Sequence, residues 1–126
     1  MVSGLVAVGF GAMLGAWLRW GLSAWLNPRV PQFPLGTIAA NLIGGYLVGF
    51  AVAFFAARQD LAPDVRLFAI TGFLGGLTTF STFSAEVTQL LLNGEYGAGG
   101  GLALVHLGGS LALTVAGIAT FRLLAA

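Results

Sequence analysis

Four long stretches with almost no charged side chains dominate the chain, running approximately over residues 4–26, 35–57, 65–93 and 97–124. A helix that rises ~1.5 Å per residue needs ~20 apolar residues to cross ~30 Å of hydrocarbon, so each stretch is long enough to span a bilayer. Charged residues make up 7% of the 126 residues, against roughly 25% in a soluble domain, which is too few to cover a water-facing surface. The chain is expected to be an all-α integral membrane protein, a single transmembrane domain of four helices. Five arginines and four acids form no basic patch for nucleic acid. With no cysteine, disulfides, thiolate metal sites and cysteine catalysis are excluded.

Local chemistry marks the boundaries. The first stretch ends at Asn27-Pro28, and the segment NPRVPQFP holds three prolines that cannot continue a helix. The first basic residue, Arg19, lies deep in that first stretch, unlike the basic start of a cleavable leader, so the segment is expected to remain as a helix. The second ends at a polar turn containing Arg58, Asp60, Pro63 and Asp64. The third contains TGFLGGLTTFSTFSAE, where paired glycines precede a hydroxyl cluster, so a break near residues 75–79 is expected. Non-helical backbone at membrane depth must be packed in protein or line a polar cavity. Glycines four apart, at Gly11 and Gly15, Gly45 and Gly49, and Gly97 and Gly101, predict close helix packing.

Four short helices leave little room for an internal pathway, which implies an oligomer. With a cytoplasmic N-terminus, Arg58, Arg66 and Arg122 fall on that side against Arg29 and Arg19 on the other. So weak a positive-inside bias is compatible with insertion in both orientations and an antiparallel pair.

Candidate chemistry lies on three helices. His106, Ser110 and Thr114 are four apart and share a face of the fourth; Thr37, Asn41 and Gly45 do so on the second. On the third, Phe80 and Phe83 lie one turn apart, interleaved with Ser81, Thr82 and Ser84. Such neutral donors and electropositive ring edges suit a small anion. The plainer reading is that the hydroxyls bond to their own helices, the rings face lipid or core and Asn41 ties helices together. Arg19 and Glu86 are ionisable groups within apolar stretches, hence functional candidates. Arg19 could concentrate anions in a vestibule. One histidine and no nucleophile setting argue against an enzyme.

The run TGFLGGLTTFSTFSAE, with GTIAANLIGGY before it and GAWLRW closing the first helix, resembles the signature of the Fluc/CrcB fluoride channels. The resemblance implies an antiparallel dual-topology homodimer in the inner (plasma) membrane, with two pores that passively let fluoride leave the cell. By position, Phe80 and Phe83 match the rings whose edges contact fluoride, and Asn41 the pore asparagine. Ser110 and Thr114 match a polar track that continues to His106, where some relatives have serine; Leu102 stands where others have tyrosine. The resemblance further implies a structural sodium ion held by the backbone carbonyls of Gly75 and Thr78 from both chains, and a vestibule role for Arg19. The rival readings are a small multidrug-type cation exporter, for which the first helix lacks the required carboxylate, and a non-transporting assembly subunit.

Overall fold

A computed structural model describes all 126 residues. It contains four helices long and apolar enough to cross a membrane, at Val2–Arg29, Leu35–Ala57, Pro63–Leu92 and Tyr96–Ala125, and no strand. We label them α1 (Val2–Leu26, continued by a 3-10 turn at Asn27–Arg29), α2 (Leu35–Ala57), α3 (residues 63–77), α4 (Phe80–Leu92) and α5 (Tyr96–Ala125). The third crossing is α3 and α4 together, divided at Thr78 and Thr79.

The turns between crossings are fixed by polar groups. Pro34 precedes α2, and the Asn27 carboxamide oxygen accepts from the Gly36 N–H at 2.8 Å, satisfying one of the donors a helix start leaves unpaired. At the next turn Arg58 and Asp60 form an exposed ion pair at 2.9 Å. The α4–α5 turn reverses at Gly94, whose φ of 77° is a conformation that glycine adopts without a Cβ clash.

α1 packs against α3, α2 against the second half of α5, and α4 against the first part of α5. Lipid offers no hydrophobic drive for helices to associate, so close backbone packing must supply it. Here small residues permit that packing. A Cβ built on Gly11 or Gly15 would run into the backbone of α3 at Phe68 or Phe73, and one on Gly49 would run into the Thr114 carbonyl of α5. Gly97 and Gly101 behave differently from the sequence expectation: nothing lies within 4 Å of either Cβ position. They face away from the chain's own helices, so the spacing that marks a packing face does so here without a partner within the chain.

Two stretches depart from α geometry. Leu67–Leu74 and Val105–Gly109 are π-helical, with wider turns than the 3.6-residue period assumes. The first leads directly into the break, and the second carries His106. Only 16 of the 126 residues are buried, so the helices enclose little of the chain's own surface.

Candidate functional site

The break between α3 and α4 is built by three exchanges of hydrogen-bond partner. In a continuous helix the N–H groups of Thr79, Phe80 and Thr82 would bond the carbonyls of Gly75, Gly76 and Thr78, four residues earlier. Here the Thr79 N–H donates to the Asn41 carboxamide oxygen at 2.8 Å, and the Thr82 N–H donates to the Thr79 hydroxyl at 3.2 Å. The Gly76 carbonyl instead accepts from Arg19 Nε at 3.0 Å. Thr78 itself is extended, with φ −89° and ψ 154°. The carbonyls of Gly75 and Thr78 are thereby released from the helical ladder. Thr79, absent from the candidate residues, proves to be central: it caps α4, and Asn41 grips it on both sides, since Asn41 Nδ2 also donates to the Thr79 carbonyl at 3.0 Å. Its position three residues before Thr82 at a helix start is an N-cap signal present in the sequence.

Beside the break lies a cleft of ≈ 430 Å³ between α2, the α3–α4 junction and α5. Asn41, Gly75, Thr78, Phe80, Phe83, His106, Ser110 and Thr114 all line it, so most of the candidates drawn from three separate stretches come together. The Phe80 and Phe83 rings meet edge to face, with centroids 5.4 Å apart, and Phe80 is 78% exposed. His106 is buried and stacks on Phe83 at 4.4 Å. Across the π stretch His106 still shares the cleft with Ser110 and Thr114.

Several side chains have roles that spacing alone did not separate. The Thr114 hydroxyl hydrogen is shared between the carbonyls of Gly45, at 2.9 Å, and Ser110, at 2.8 Å, which ties α5 to α2. Asn41 has two amide hydrogens, directed at the Thr79 carbonyl and at His106 Nδ1, each at 3.0 Å. Arg19 braces the Gly76 carbonyl. Ser81 and Thr82 stand in the first turn of α4, where both hydroxyls approach that of Thr79, at 3.4 and 3.1 Å.

Thr37 and Glu86 lie outside the cleft and form a second polar contact, in which the nearly buried Thr37 hydroxyl donates to Glu86 Oε2 at 3.1 Å. Glu86 Oε1 is buried without a partner. This meeting of residues 49 positions apart is invisible to periodicity. The signal for it was Glu86 itself, a carboxylate inside an apolar stretch. Leu102, at 2% exposure, is a core residue of α5.

An arrangement of neutral hydrogens, ring edges and freed carbonyls can stand in for water around small ions: hydrogens for an anion, carbonyl oxygens for a cation. It offers no group of three or more acidic, histidine or cysteine side chains to hold a metal.

Comparison with known proteins places the sequence among relatives. The profile of the family described as "CrcB-like protein, Camphor Resistance (CrcB)" matches residues 6–118. A protein of Cupriavidus necator named "Fluoride-specific ion channel FluC" is 62% identical over 122 residues, covering 97% of each chain. Proteins with the same name from Pseudomonas putida and Thiobacillus denitrificans are 56% and 54% identical, over 96% and 98% of this chain and 95% and 99% of theirs. With a family match across most of its length and relatives aligned from end to end, this chain belongs to the CrcB family.

Proposed function

We propose that this chain is one subunit of a fluoride-selective passive channel in the inner (plasma) membrane, through which fluoride leaves the cytoplasm. The observation that carries this reading is the 62% identity, over 97% of both chains, to a protein named a fluoride-specific ion channel. Transport rather than catalysis is the activity. The cleft is consistent with it. A fluoride ion entering must give up water, and the electropositive edges of Phe80 and Phe83, with the Ser110 hydroxyl in the same cleft, are neutral groups that can replace it.

The functional unit is an antiparallel dual-topology homodimer with two pores. Its support is physical: the cleft residue Phe80 is 78% exposed in the protomer, and only 16 residues are buried, so a pathway walled on all sides needs a second copy. The near balance of arginines between the two membrane sides permits that copy to be inverted.

A structural sodium ion at the dimer interface fits the freed carbonyls. Gly75 and Thr78 line the cleft, and the N–H groups that would have bonded their carbonyls go to Asn41 and to the Thr79 hydroxyl. Carbonyl oxygens are hard, neutral ligands suited to such a cation, which would supply a fixed positive centre where two breaks meet. Arg19 adds positive charge beside the same break.

Bacteria stripped of their own fluoride export provide the test. Expression of this chain should restore growth in fluoride-containing medium; the protein inserted in the membrane with no gain in fluoride tolerance would overturn the reading.

A further inference from the structure

His106 is the only histidine in the chain, and its surroundings fix its chemical form. A backbone N–H can only donate, so the Asn41 atom 2.8 Å from the Thr79 nitrogen must be the carboxamide oxygen. The other amide atom is then Nδ2, which can only donate, and it lies 3.0 Å from both the Thr79 carbonyl and His106 Nδ1. Its two hydrogens therefore have two acceptors, and His106 Nδ1 must carry no proton. A neutral ring then holds its hydrogen on Nε2, which is buried without an acceptor in the chain. A ring protonated on both nitrogens would set two donors against each other.

The imidazole is also held from the side. It stacks on Phe83 with centroids 4.4 Å apart and planes inclined by 29°, and it sits in the π-helical stretch Val105–Gly109 of α5. One ring thus touches both the asparagine that grips the helix break and an aromatic side chain of the cleft.

We infer that His106 is a positioning residue: through Nδ1 it holds the second amide hydrogen of Asn41, keeping that side chain bidentate on Thr79. Without this acceptor the Asn41 amide has an unsatisfied hydrogen in a part-buried setting and a reason to rotate. Rotation would take the carboxamide off Thr79, leaving its N–H and carbonyl without the partners that hold the break. Packing of the ring alone would not have this consequence. The inference rests on the fluoride-conduction reading for its effect on flux, whereas the state of the ring can be measured independently.

The experiment has two parts. Protein labelled with 15N-histidine, with any tag removed, gives nitrogen resonances from His106 alone. The expected result is an unprotonated Nδ1 and a protonated Nε2; a protonated Nδ1 would overturn the proposal whether or not the protein conducts. Fluoride efflux from liposomes is then compared for two variants that run as wild-type dimers. His106→Asn keeps an acceptor near the Nδ1 position but removes the stacked ring, and should stay within a few-fold of wild type. His106→Phe keeps the ring but not the acceptor, and should lose about tenfold or more. The reverse order, with His106→Phe active and His106→Asn impaired, would show that the ring only packs and would overturn the assignment. If the unaltered protein conducts no fluoride, the channel reading fails, while the nitrogen resonances still decide the Asn41–His106 contact.

Discussion

Asn41 offers one acceptor and two hydrogens, and Thr79 and His106 use all three. Replacing it by alanine leaves the Thr79 N–H and carbonyl without partners. Asn41→Ala should therefore destabilise the folded protein by about 2–3 kcal/mol, measured by melting in detergent, besides suppressing flux. The phenylalanines should behave differently. Phe80 is mostly exposed in the protomer, so Phe80→Ile should leave assembly intact while fluoride efflux falls by about tenfold, a loss of about 1.4 kcal/mol. Phe83→Ile should do the same, and unchanged flux in both would remove the rings from the pathway. At the other extreme is Asp60, held by the Arg58 hydrogen bond at a pKa of about 2, below its ordinary 3.8. A depressed carboxylate contributes above its unfolded pKa and loses that contribution as pH falls through the folded value. Because the pair is exposed, Asp60→Asn should change neither the melting temperature nor the flux at neutral pH.

At the scale of the helix, the sequence carries the crossings but not their partners. The apolar runs, the prolines around Pro28 and Pro34 and the polar turn at Asp60 mark where chains can leave a bilayer, and these are local signals. The break was legible for the same reason, since Gly75, Gly76 and the hydroxyls that follow are consecutive. The π stretches were not legible, because a pattern counted at 3.6 residues per turn does not register a widened turn. Nor were the Asn41–Thr79 and Thr37–Glu86 contacts, which join residues 38 and 49 apart and depend on how helices pack. Glycine spacing gave a mixed return for a similar reason: it shows that a face is small, not what lies against it. Gly49→Ala should lower the melting temperature, because the new Cβ meets the Thr114 carbonyl of α5 and overpacking costs ~1–3 kcal/mol. Gly9→Ala, with open space around it, should be neutral or stabilising by up to ~1 kcal/mol through helix propensity. Equal effects of the two would contradict the packing described here.

The molecule as a whole presents many large apolar side chains outward, from Leu5 and Trp17 on α1 to Leu123 on α5, as lipid or a second copy requires. An antiparallel dimer predicts that a reporter fused to the C-terminus will be found on both sides of the membrane; a single location would exclude dual topology. Conduction itself can be tested on the isolated protein. The direct measurement is efflux from liposomes reconstituted with the purified protein, with fluoride and chloride recorded in parallel. Rapid fluoride release with chloride retained is the predicted result. Correctly folded dimers that release no fluoride, or that release both anions alike, would contradict it.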